Sequence, residues 1–124
     1  MTQLLYIAAG GATGAILRYW MSLGIHAWMG RGFPFGTLAV NLLGSFLMGL
    51  AYVFMIERMD VTPEWRGAII IGLLGAFTTF STFSIETLNL LEDGEQLKAG
   101  LNILFSVAFC ITGCWFGLII GRQI

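Results

Sequence analysis

Charge is what this chain has least of. Only 10% of its 124 residues are Asp, Glu, Lys or Arg, where a soluble domain carries about a quarter. Together with 57% hydrophobic residues, that scarcity argues against a water-soluble fold. The net charge is −1, which leaves no electrostatic footprint for nucleic acid. There is one histidine. No H-E-x-x-H, G-x-S-x-G, Walker loop or Cys/His cluster with metal spacing occurs, so no catalytic constellation is visible and an enzyme is not expected. Cys110 and Cys114 are the two cysteines. They are not C-x-x-C, and four residues apart on a helix they are poorly placed to bridge, so they carry no redox-compartment signal. Residues 1–17 contain no Lys or Arg. Without a positive n-region, the first apolar stretch is expected to stay in the mature chain.

Long hydrophobic runs, by contrast, are abundant. Four apolar stretches lie near residues 3–26, 35–56, 67–91 and 99–121, each long enough for a bilayer crossing of about 20 residues. The expected fold is an all-α integral membrane protein, a single domain over 1–124 with four transmembrane helices. The loops hold nearly all the charge: Arg31 in the first; Glu57, Arg58, Asp60, Glu64 and Arg66 in the second; Glu92, Asp93, Glu95 and Lys98 in the third. Thr62-Pro63-Glu64 reads as a helix start, with Thr as N-cap and Pro at the first helical position. Trp20, Trp28, Trp65 and Trp115 fall near segment ends, as in an aromatic belt. His26 lies at a segment end with no ligand-type neighbours and reads as interfacial.

With four spans, Arg58, Arg66 and Arg122 share one side, and Arg31, Lys98 and any contribution from Arg18 share the other. The positive-inside rule then gives almost no preferred orientation. A chain so balanced can insert both ways, and two opposed copies can pair about a two-fold axis in the membrane plane. An antiparallel, dual-topology homodimer is therefore expected, since four short helices are few to enclose a pathway. Gly10 and Gly14, and Gly113, Gly117 and Gly121, repeat at the four-residue spacing that lets membrane helices approach closely.

The third stretch contains Gly75-Ala76-Phe77-Thr78-Thr79-Phe80-Ser81-Thr82-Phe83-Ser84, with five hydroxyls in seven positions. Irregular backbone at membrane depth is tolerated only where it is buried in protein or lines a wet cavity. The third helix is therefore expected to break near 75–81. Thr37, Asn41 and Ser45 step by four along the second stretch, as do Asn102, Ser106, Cys110 and Cys114 along the fourth, so each set shares a helix face. These stripes fit either interhelical hydrogen bonding or a wet pathway. Asn41 is the strongest member, because its NH₂ can donate to an anion. Arg18, well inside the first stretch, either snorkels to the surface or is a fixed positive charge at a vestibule. Glu86 either pairs with Arg18 or accepts from a backbone donor; an intramembrane ionisable residue is a functional candidate by default.

The sign of the cargo follows from ring chemistry. A phenylalanine ring has a negative face and a positive edge. A route lined by Phe edges, Asn and hydroxyl donors, with no acid at its middle, suits an anion better than a cation.

The Gly75–Ser84 segment, the following Glu86, Asn41 within Gly36-Thr37-Leu38-Ala39-Val40-Asn41-Leu42-Leu43-Gly44, and Gly10-Gly11 followed by Arg18 resemble the Fluc (CrcB) family of fluoride channels. The resemblance covers essentially the whole chain. It implies a passive fluoride channel of the cell (inner) membrane that lowers cytoplasmic fluoride, an antiparallel homodimer with two pores. It further implies that Phe80 and Phe83 present ring edges to fluoride, that Asn41 donates to it, and that Asn102 and Ser106 belong to a polar track, with Ser81 and Thr82 in the hydroxyl-rich segment. The backbone carbonyls of Gly75 and Thr78 from both subunits are implied to hold a central, structural sodium ion. Cys110 and Cys114 stand where hydroxyls are expected. The runner-up is a small multidrug-resistance exporter, which needs a membrane-embedded carboxylate in the first span; residues 3–26 contain no Asp or Glu. A scaffold subunit of a larger membrane complex is a third reading, which the glycine-rich packing fits but the polar stripes do not require.

Overall fold

The computed structural model describes residues 1–58 and 61–124. Met59 and Asp60, the latter read above as a loop charge, lie outside the described residues. Every regular element among the described residues is helical. α1 runs Thr2–Met29 and stops at Gly30, whose φ of 84° suits only glycine well and whose N–H donates to the His26 carbonyl at 2.8 Å. α2 is Phe35–Tyr52 and continues in wider π-type turns over Val53–Arg58. α3, Pro63–Arg66, opens on Thr62, whose hydroxyl accepts from the Trp65 N–H at 3.4 Å. The helix then widens into π-type turns over Gly67–Leu74 and closes with the short α4, Gly75–Phe77. α5 is Phe80–Glu92 and α6 is Gln96–Gln123.

Three helical runs among the described residues are long and apolar enough to cross a membrane: Phe35–Arg58, Pro63–Glu92 and Gln96–Gln123, with 24, 30 and 28 residues. The chain is an all-α, multi-pass membrane protein. α1 has the length, at 28 residues, but four glycines, Gln3, Thr13, Arg18 and His26 dilute its apolar character, so it is not one of the three. The sequence expectation of four comparable spans is met less evenly than the apolar stretches suggested.

Glycine decides how these helices pack. α1 lies along the Gly67–Leu74 turns, and α2 along α6. A Cβ on Gly10 or Gly14 would overlap the carbonyls of Ala68 or Leu73, and one on Gly49 or Gly117 would overlap those of Cys114 or Phe46. Both pairs are thus in backbone contact, which small residues at i, i+4 permit. The core between them is small: Val40, Val53, Leu74, Phe77 and Phe83 are buried.

Between α4 and α5 the backbone is extended. Thr78 has φ −87° and ψ 157°, and Thr79 has φ −152° and ψ 121°. Two consecutive non-helical residues take several peptide groups out of the i→i−4 ladder, and buried peptide groups need partners.

Candidate functional site

The extended pair is held by side chains. The Thr79 N–H donates to Asn41 Oδ1 at 2.7 Å, and Asn41 Nδ2 donates to the Thr79 carbonyl at 3.0 Å. An amide side chain thus reproduces both halves of a backbone pairing and fixes one residue of α2 against the break. Thr79 also caps α5: its hydroxyl accepts from the Thr82 N–H at 3.2 Å, satisfying one of the unpaired donors of a helix start. Thr79 Oγ1 donates to Thr82 Oγ1 at 3.1 Å and lies 3.3 Å from Ser81 Oγ. Arg18 Nε donates to the Ala76 carbonyl at 3.1 Å. Thr78 turns its hydroxyl back to the Leu74 carbonyl at 3.1 Å.

These bonds have a consequence for the carbonyls. In a continuous helix Gly75 would accept from the Thr79 N–H, and Thr78 from the Thr82 N–H. Both donors are diverted, the first to Asn41 and the second to the Thr79 hydroxyl. The helical acceptors of Gly75 and Thr78 are therefore released.

Beside the break lies an open groove of about 370 Å³. α2 lines it with Asn41, Ser45 and Met48, the chain from the break with Thr79, Phe80 and Phe83, and α6 with Ser106, Cys110 and Cys114. The Phe80 and Phe83 ring centroids are 5.3 Å apart, their planes inclined at 49°. Phe83 is buried, whereas Phe80 is 78% exposed. One of the two Asn41 N–H groups goes to Thr79, leaving the other for a ligand.

A second polar chain stands between α5 and α6. Ser106 Oγ donates to Asn102 Oδ1 at 3.5 Å, Asn102 Nδ2 to Thr87 Oγ1 at 2.8 Å, and Thr87 Oγ1 to the Phe83 carbonyl at 2.8 Å. Asn102 is 2% exposed and does not line the groove; it ties Ser106, which does, to the backbone of Phe83. Thr87 was missed by sequence reasoning, because a single hydroxyl in Glu86-Thr87-Leu88 carries no pattern.

The structure thus brings Asn41, Phe80, Phe83 and Ser106 together. Ser81 and Thr82 belong to the hydroxyl cluster around Thr79 instead. Thr37, on the Asn41 stripe, is buried and off the groove. Neither sequence expectation for Glu86 holds in the protomer: Arg18 bonds to Ala76, and Glu86 Oε1 is buried without a hydrogen-bond partner among the described residues.

The family model for CrcB-like protein, Camphor Resistance (CrcB), matches residues 5–118. The chain belongs to the CrcB family. It is 52% identical over 122 residues, 98% of its length, to a protein of Methylococcus capsulatus named fluoride-specific ion channel FluC, and spans 54% of that protein's length. It is 50% identical over 98% of its length to 99% of a Magnetococcus marinus protein, and 50% identical over its whole length to the whole of a Geobacter sulfurreducens protein, both of the same name. These CrcB relatives are ion channels rather than enzymes, and none is named as a proton-coupled exporter.

Proposed function

We propose that this CrcB-family chain is a fluoride channel that conducts passively out of the cell, across the inner membrane where the cell has two. The groove carries the reading: Phe80, Phe83, Ser45 and the spare N–H of Asn41 line it beside the break, and the ring edges of the two phenylalanines are the parts suited to an anion. Hydrogen-bond donors and C–H edges there replace part of the water that the anion gives up, without any carboxylate in the lining. Fluoride entering as its weak acid is trapped as the anion in a more neutral cytoplasm. A selective leak lets the potential, negative inside, expel it, each charge gaining about 2.3 kcal/mol per 100 mV.

The working unit is an antiparallel homodimer with two pores. Supporting this, the groove is open along one face of the protomer and Phe80 is uncovered. In this assembly α1, about 42 Å long at 1.5 Å per residue, is the fourth span, and the extended pair Thr78–Thr79 interrupts the third. Arg18, fixed to Ala76, sets positive charge beside the break, and Glu86 belongs to the same vestibule. Asn102, Ser81 and Thr82 serve the route by holding Ser106 and Thr79 in place. The released carbonyls of Gly75 and Thr78, doubled by a second copy, are the oxygen donors a hard cation accepts; a structural sodium ion there would lock the two breaks together.

Fluoride efflux from liposomes carrying the purified protein tests this reading. Phe80→Ile leaves the protomer's packing almost untouched, because the ring is exposed, and is expected to cut the efflux rate at least tenfold. An unaltered rate would remove the ring from the pathway.

A further inference from the structure

Three sulfurs line the same groove. Met48 comes from α2, and Cys110 and Cys114 come from successive turns of α6. Both cysteines are free thiols, partly exposed. Residues four apart on a helix have Cβ atoms about 5–6 Å apart. Thiolate–metal bonds of roughly 2.3 Å let one ion reach two such sulfurs by rotamer adjustment alone. Thiolate and thioether ligands select soft cations, and oxygen-loving ions are excluded. No histidine or carboxylate side chain lines the groove.

We propose that Cys110 and Cys114, with Met48 as an auxiliary thioether, form a binding site for one soft d¹⁰ cation, whose occupancy closes the groove to anions. As each sulfur–metal bond forms, the thiol proton passes to water. A divalent ion and two thiols therefore give a neutral dithiolate and two protons, with no change of oxidation state. Neutrality suits a weakly hydrated site, where an unpaired charge is costly. The bound ion sits beside Ser106 and obstructs passage past Phe83. The blocking half of this inference rests on the channel reading; the binding half does not.

Mercuric nitrate is the probe. Titrated into the detergent-solubilised protein and followed by the ultraviolet thiolate-to-metal absorption, it is expected to saturate at one ion per chain. Cys110→Ser, Cys114→Ser and Cys110→Ala should each weaken binding at least tenfold, and Met48→Leu by a smaller factor. Two ions per chain, or single-cysteine variants that bind as tightly as the parent, would overturn the shared site. In liposomes, saturating metal is expected to slow fluoride efflux at least fivefold relative to the same protein untreated, with recovery on adding excess dithiothreitol. Each variant is compared with its own untreated rate, and the double variant Cys110→Ser/Cys114→Ser should show no slowing. Full binding with undiminished efflux would overturn the block. Absence of efflux from untreated protein would instead reject the channel reading, while the absorption titration still judges the metal site.

Discussion

Asn41 is the residue on which most of the site depends. It holds Thr79 by both ends of its amide, so its loss unpairs a backbone N–H and a carbonyl together. Leaving a buried polar group unsatisfied costs about 1–3 kcal/mol. Asn41→Asp keeps the acceptor for the Thr79 N–H but turns a carboxylate oxygen toward the Thr79 carbonyl and adds negative charge to the groove. We expect fluoride efflux to fall at least tenfold and the melting temperature in detergent to drop; a variant with parental rate and melting point would show that the Thr79 pairing is dispensable. Sequence pattern revealed only part of this residue. Its donor character and its place on a polar stripe were legible. The pairing with Thr79 was not, because it joins residues 38 apart and no local spacing encodes it. Arg18 and Glu86 show the same limit: both were legible as unusual charges, but neither the bond of Arg18 to the Ala76 carbonyl nor the unpartnered burial of Glu86 Oε1 was. Asn102→Leu probes the second polar chain: it removes the acceptor of the Ser106 hydroxyl and the N–H that Thr87 Oγ1 accepts, while Thr87 keeps its bond to the Phe83 carbonyl. It should destabilise the protein by about 1–3 kcal/mol, and Thr87→Val in the same background should add less than its single effect, because the two share a bond. Additive losses in thermal unfolding would contradict that coupling.

At the scale of helices, glycine position separates contact from open surface. Gly117 faces the backbone of α2, and a methyl group there has no room beside the Phe46 carbonyl, whereas nothing lies within 4 Å of a Cβ on Gly100. Both are in α6. Gly117→Ala is expected to destabilise by about 1–3 kcal/mol through overpacking. Gly100→Ala should be neutral or stabilise by up to about 1 kcal/mol, since alanine is the better helix former. Equal melting shifts for the two would mean that α2 and α6 do not meet at backbone distance. The four-residue glycine spacing made close packing legible from sequence, but which helix each stripe meets depends on tertiary arrangement. The hydroxyl-rich run was legible as a place of irregular backbone. That Thr79 would be the cap of α5 was not, since Thr78, Thr79, Ser81 and Thr82 are all competent caps by residue type. α1 was read as equal in apolarity to the other spans because the residue classes alone ignore how far glycine and scattered polar groups lower it.

For the whole molecule, the open groove and the even spread of Arg and Lys over the two sides are the features that motivate the proposed inverted pairing. The proposed inverted pairing would set a second copy against the open groove, and the balanced charge permits it. C-terminal fusions to one reporter active only inside the cell and another active only outside should both give signal. A signal from one side alone would rule out inverted pairing. The most direct measurement is of ion selectivity: liposomes containing only the purified protein, loaded with potassium fluoride or potassium chloride, and opened with valinomycin. We expect fluoride to leave rapidly and chloride to be retained. Equal release of the two ions, or retention of fluoride by well-folded protein, would contradict a fluoride-selective route through this chain.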